Sequence, residues 1–168
     1  MSEPTVESAE LLAIRAQLEA IAENATSSQQ ALEAFVELLH SRLQDYNWVG
    51  FYSIEKSLDA NEPPMLVLGP FRGAPSPHVR IPLNQGICGA AASGGATIVV
   101  DDVNSDPRYL ACSIETKSEI VAPVFVHGEV AGELDIDSHR LAAFTPEQRK
   151  LVEYCAKLAG QVLERYPT

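Results

Sequence analysis

Residues 119–126 and 130–136 are two runs rich in branched and aromatic side chains, and only a short segment centred on His127-Gly128 separates them. This pattern predicts an antiparallel hairpin turning at those two residues. The second run ends Leu134-Asp-Ile-Asp-Ser138. In a strand, residues i and i+2 share a face, so Asp135 and Asp137 emerge together while Leu134 and Ile136 turn toward a core. Glu119, at the start of the partner strand, can join the two aspartates. A chain carrying this hairpin needs a sheet with at least one covered face.

The flanking segments say what covers it. Leu11, Leu12, Ile14, Leu18 and Ile21 form a helical stripe within residues 5–23. Ser27-Ser-Gln-Gln30 has the form of a capping box opening a second helix, with Leu32, Phe35, Val36, Leu39 and Leu43 on its apolar face. Residues 47–54, 65–68, 79–82 and 97–100 read as strands, and small residues from Gly86 to Ser93 as a short helix ended by Gly94-Gly95. Residues 101–117 are long, polar and loop-like, a pattern that marks a lid or a binding segment. Thr145-Pro-Glu-Gln148 opens a last helix with Leu151, Cys155, Leu158 and Val162 on one side. Strands cluster between terminal helices. The expected class is α+β, a mainly antiparallel sheet with N- and C-terminal helices on one face. One domain over residues 1–168 is expected, with helices at about 5–43 and the sheet, loops and last helix at about 46–165.

A formal net charge of −11 opposes binding to nucleic acid or anionic lipid, both of which need a basic surface. No apolar run approaches the roughly 20 residues that span a bilayer. The N-terminal Met-Ser-Glu-Pro-Thr-Val-Glu lacks the basic-then-apolar layout of a signal peptide, so the expected location is the cytoplasm. The three cysteines, Cys88, Cys112 and Cys155, show none of the close spacings that close a zinc site, and neither a metal nor a cofactor is expected.

Cys155 lies on the apolar stripe of the last helix and reads as inert core. Cys88 sits near the start of the short helix, where backbone N–H groups favour a thiolate. Cys112 lies in the long loop, where reactive groups are common. Two unrelated small residues remain the alternative. Asp135 and Asp137 are either a solvated strand end or a pair whose repulsion raises one pKa and leaves a proton available; the loop spacing of an EF-hand calcium site is absent. Trp48 and Tyr52, four apart, share a strand face, as core or as the wall of an apolar pocket. His78, after a proline, reads as an exposed loop residue.

Taken in order, Asn47-Trp-Val-Gly-Phe-Tyr52, Leu66-Val-Leu-Gly-Pro-Phe71, Val79-Arg-Ile-Pro82, Gly86-Ile-Cys-Gly89, Leu110-Ala-Cys112, Ser118-Glu-Ile-Val121 and Leu134-Asp-Ile-Asp-Ser138 resemble the free methionine-(R)-sulfoxide reductases, which are single GAF domains. The resemblance runs from about residue 47 to 163. It implies a GAF-like fold and reduction of free methionine sulfoxide, with Cys112 as nucleophile, Cys88 as the cysteine that resolves it, and thioredoxin as reductant. It implies that Glu119, Asp135 and Asp137 line the substrate pocket and that Trp48 and Tyr52 form its aromatic wall. GAF domains often dimerise, so a homodimer is expected. Many members carry another cysteine just before the Val-Arg-Ile-Pro segment; here that place is His78. A noncatalytic ligand-binding or thiol-sensing module is the competing reading.

Overall fold

The computed structural model describes residues 8–111 and 113–168. Two helices, α1 (Ala9–Glu23) and α2 (Ser28–Arg42), precede strands β1 (Trp48–Glu55), β2 (Met65–Arg72) and β3 (Arg80–Pro82). Helix α3 (Gly86–Gly94) and strand β4 (Ile98–Val100) follow. A loop containing one turn of 3-10 helix leads to β5 (Ser118–Val126), β6 (Glu129–Ser138) and α4 (Pro146–Arg165). The six strands form one antiparallel sheet in the order β3-β2-β1-β6-β5-β4.

Local chemistry sets the helix starts. Side-chain oxygens of Ser8, Ser27 and Thr145 accept hydrogen bonds from the backbone N–H groups of Leu11, Gln30 and Gln148, which otherwise lack helical partners. The Gln30 side chain reaches back to the Thr26 N–H, one residue earlier than a strict capping box requires. The β5–β6 turn falls where the pattern places it. His127 and Gly128 both have positive φ, 50° and 80°, as a two-residue type I′ turn demands.

Strand β2 is longer than the sequence pattern suggests. Residues 65–68 read as a strand from the sequence, yet pairing with β1 continues to Arg72. Gly50 faces Phe71 and Tyr52 faces Leu68, so Gly69 and Pro70 together oppose the single residue Phe51. This is a β-bulge, which absorbs the proline without losing the ladder.

The sheet divides two cores. On one face, Val49, Phe51, Ile120, Ala122, Leu134 and Ile136 pack with Phe35, Val36 and Leu39 of α2, Ile14 and Leu18 of α1, and Leu151, Cys155 and Val162 of α4. Each large apolar side chain buried here is worth about 1.5–3 kcal/mol. On the other face α3 covers β5 and β6, and Trp48, Tyr52, Ile87, Cys88, Ala91 and Val121 form a smaller cluster. The terminal helices therefore take one face, as expected, and leave the opposite face to a single short helix of small residues.

Candidate active site

The smaller face carries the acids. Strand pairing sets them in rows running across β1, β6 and β5: Trp48, Asp137 and Glu119; then Gly50, Asp135 and Val121; then Tyr52, Glu133 and Pro123. Asp135, Asp137, Glu119 and Glu133 are all buried. The solvated-end reading of Asp135 and Asp137 is therefore wrong. Alternation correctly puts both on one face, and α3 with its adjoining loops removes that face from water.

Cys88, in the first turn of α3, hangs over these rows. Its sulfur lies 3.4 Å from Asp135 Oδ2 and 3.9 Å from Glu119 Oε1, near enough for the thiol to donate to either. Glu119 also hydrogen-bonds the Asp135 carboxyl. Tyr52 donates its hydroxyl to the His78 carbonyl, and the Trp48 indole N–H donates to the Ala74 carbonyl, so both aromatics pin the loop between β2 and β3. Their rings lie 6.3 Å apart, and Trp48 also stacks on Phe71 at 5.8 Å.

Electrostatics follows from burying so many acids together. Burial, then the Asp135 charge, pushes Asp137 well above the usual carboxylate range. Glu133 rises for the same two reasons. Asp135 is raised by burial against the opposing pull of its hydrogen bonds with Glu119 and Cys88. The Cys88 thiol is pushed well up by burial first, then by the charges of Asp135, Glu133 and Glu119. This corrects the expectation that a helix start makes Cys88 a ready thiolate. A helix N-terminus carries roughly half a positive charge, too little to offset these acids and the loss of solvent.

Of the residues singled out from sequence, the structure brings together Cys88, Glu119, Asp135, Asp137, Trp48 and Tyr52. Cys112 lies outside the described residues. Cys155 is fully enclosed in the opposite core, where burial raises its thiol. His78 is half-buried rather than simply exposed. Its Nε2 stands 3.1 Å from the Ala111 carbonyl, to which the ring N–H can donate.

Sequence reasoning missed Glu133. The same two-residue alternation that pairs Asp135 with Asp137 extends back to it, so the signal was present. Donor atoms of Cys88, Glu119 and Asp135 lie within 4.8 Å of one another, a spread that one small cation can bridge. These donors come from three separate elements, beyond the reach of a spacing rule.

Two cavities adjoin the acids. One, of about 20 Å³, is lined by Tyr52, His78, Cys88, Glu119 and Asp135 and has room for about one water-sized group. The other, of about 140 Å³, lies against Asn47, Trp48, Ser76, Thr116, Asp137 and His139. Larger grooves of about 470 to 540 Å³ lie on the surface, and none of them is lined by the buried acids. No helix among the described residues is long and apolar enough to cross a membrane.

The arrangement offers a cationic group a ring of buried carboxyls, an apolar group an aromatic wall, and a substrate sulfur a thiol next to available protons. Residues 27–163 match the GAF domain model. The chain is 42% identical over 122 residues to protein YtsP of Bacillus subtilis, covering 73% of this chain and 71% of that one. It is 40% identical over 113 residues to the free methionine-R-sulfoxide reductase of Escherichia coli, covering 67% of this chain and 64% of that one, just under two thirds. The X-ray structure of free methionine-R-sulfoxide reductase from Neisseria meningitidis in complex with its substrate superposes with a TM-score of 0.84 at 32% identity, covering 98% of this chain and 94% of that one. With a family model spanning most of its length and a substrate-bound neighbour matched almost end to end, this chain belongs to the GAF domain family.

Proposed function

We propose that this protein reduces free methionine sulfoxide to methionine by cysteine chemistry. The observation that carries the reading is the thiol of Cys88 lying 3.4 Å from Asp135 over a buried face of acids, beside the paired aromatics Trp48 and Tyr52. The likeness to reductases of that name supports it.

Free methionine sulfoxide is a zwitterion with an S=O dipole and a methyl group. Carboxylates among Glu119, Asp135 and Asp137 hold its ammonium by charge-assisted hydrogen bonds. Trp48 and Tyr52 hold the methyl and part of the chain. Sulfoxide oxygen leaves poorly until protonated, and a carboxyl kept protonated by burial supplies the proton. The Cys112 thiol attacks the substrate sulfur; as the substrate S–O bond breaks, the protonated oxygen transfers to the Cys112 sulfur to give sulfenic acid, methionine departs, and the thiol proton returns to the carboxyl that protonated the oxygen. The Cys88 thiol then forms a disulfide with Cys112, and the hydroxyl leaves as water with the thiol proton. An external dithiol, thioredoxin in the cell, restores both thiols. Selectivity for the R epimer follows from the resemblance. By the resemblance, His78 stands where many members of the family carry a third cysteine, so the disulfide route proposed here runs through Cys88.

The test is incubation with free methionine sulfoxide and dithiothreitol, measuring methionine. Methionine is expected from the wild type and none from Cys112→Ser. Cys88→Ser should complete a first turnover. A binding module would hold methionine sulfoxide without releasing methionine. A thiol sensor would form its disulfide with peroxide and release none either. Both outcomes overturn the reading.

A further inference from the structure

Among the described residues, every buried side-chain oxygen or nitrogen without a hydrogen-bond partner belongs to Glu133, Asp135 or Asp137, all on one face of β6. Buried polar groups are ordinarily paired, so unpaired ones gathered in one place need a cause. Asp135 is the one of these acids that lines the small cavity of about 20 Å³. It is 3% exposed, and its Oδ1 is one of the unpaired atoms. Cys88 and Glu119, both buried, line the same cavity. No lysine or arginine among the described residues lines this cavity or its neighbour of about 140 Å³.

The distances fit coordination of a single ion. Zinc holds thiolate sulfur at about 2.3 Å and carboxylate oxygen at about 2.0–2.2 Å, so adjacent donors in a tetrahedral shell stand roughly 3.5 Å apart. Cys88 Sγ stands 3.4 Å from Asp135 Oδ2 and 3.9 Å from Glu119 Oε1. The three donors all lie within 4.8 Å of one another and come from α3, β5 and β6, elements that the sheet and its covering helix hold in place. The donor types select the ion. Calcium and magnesium take about six or more oxygen ligands and have no use for a thiol. A thiolate with two carboxylates suits zinc or another thiophilic dication, and three protein ligands leave a fourth position to water.

We propose that Cys88, Glu119 and Asp135 form an inhibitory binding site for zinc or a like thiophilic dication. When the ion binds, the Cys88 S–H bond breaks, an S–Zn bond forms and the proton passes to solvent. The proton in the hydrogen bond between Glu119 and Asp135 leaves the same way as their oxygens turn to the metal. Nothing is oxidised or reduced. The ion takes the thiol and two of the acids together, so it excludes the substrate ammonium and withholds Cys88 from the disulfide step. Binding of the ion stands on the geometry; its inhibitory effect rests on the function proposed above.

The experiment uses the full-length chain, freshly reduced and freed of thiol reagent, as wild type, Cys112→Ser, Cys88→Ser and Asp135→Asn. Zinc binding is measured by calorimetry. Cobalt(II) serves as a second probe, because a thiolate ligand gives a sulfur-to-cobalt absorption band. One zinc per chain is expected for wild type and Cys112→Ser, with the cobalt band in both. Changes merely around a metal site cost about 10–100-fold in affinity, so losing a ligand in Cys88→Ser or Asp135→Asn should cost about 100-fold or more. The band should vanish in Cys88→Ser. Glu119→Gln stands in for Asp135→Asn if that variant does not fold. Wild type without saturable binding would overturn the proposal, as would undiminished affinity in Cys88→Ser or in the carboxamide variant, or a band lost in Cys112→Ser. Methionine release from free methionine sulfoxide is then followed through a single turnover, in wild type free of zinc and saturated with it. Zinc is expected to abolish release and EDTA to restore it; release at the zinc-free rate from saturated protein also overturns the proposal. No release from zinc-free protein, with binding that depends on Cys88 and Asp135, ends the reductase reading and leaves the metal site standing. Release from zinc-free protein, with binding indifferent to Cys88, ends the metal site alone.

Discussion

The Trp48 ring lies across Gly50, so close that a methyl group on Gly50 would clash with two ring carbons, Cη2 and Cζ3. Gly50 is thus the floor on which the aromatic wall rests, in the row that also holds Asp135. Gly50→Ala forces the indole off this position and breaks its hydrogen bond to Ala74. A stability loss of about 1–3 kcal/mol is expected from such overpacking, read by urea unfolding. If the wall holds the substrate methyl, KM for methionine sulfoxide rises more than kcat falls in the fraction that folds.

The acid cluster predicts which substrates are refused. N-acetylmethionine sulfoxide keeps the sulfoxide and the methyl but has no ammonium. Hydrogen bonds involving charged groups contribute about 1.5–3 kcal/mol, so losing one set lowers kcat/KM by roughly 10- to 100-fold. Desolvated carboxylates left without a cation push the loss toward the larger figure. Equal kcat/KM for the two compounds would show that the acids do not bind the amino group.

What was legible in the sequence was local. The caps at Ser27 and Thr145, the turn at His127-Gly128 and the shared face of Asp135 and Asp137 follow from spacings of a few residues. The burial of that face was not legible, because it depends on α3, more than forty residues before Asp135 in the chain, folding back across β5 and β6. Glu133 escaped notice for that reason, since an alternating acid on an uncovered strand is merely solvated. The chemistry of Cys88 was misjudged on the same account. Its own helix favours a thiolate, and the acids that oppose one arrive from β5 and β6. The extent of β2 was hidden because pairing with β1, a tertiary effect, outweighs the local preference of Gly69-Pro70.

The hairpin turn invites a stabilising change. His127 holds φ of 50°, a conformation in which histidine is less comfortable than asparagine. Its backbone N–H donates to Glu164, a bond that any non-proline residue at this position can keep. The ring contact with the same carboxylate is only 4.0 Å and exposed, so its loss costs little. His127→Asn is expected to raise stability by a few tenths of a kcal/mol to about 1 kcal/mol, measured as a higher urea midpoint with unchanged m.

Asp137 predicts how stability responds to pH. Burial and the Asp135 charge hold its folded pKa well above the ordinary value, whereas an unfolded aspartate ionises near pH ~4. Between those two points the folded chain binds more protons than the unfolded one. The contribution of Asp137 is therefore complete below the unfolded pKa and is lost as pH rises through the folded one. Asparagine does not titrate, so the stability of Asp137→Asn relative to wild type grows with pH inside that window, by up to about 1.4 kcal/mol per pH unit. Urea unfolding of the ligand-free proteins from about pH 5 to about pH 8 reads this difference directly. A relative stability that shrinks as pH rises would mean that Asp137 is ionised in the folded protein and held by a positive partner. Methionine added in excess supplies such a partner, and it should flatten the wild-type profile more than that of Asp137→Asn, in which Asp135 and Glu133 still titrate.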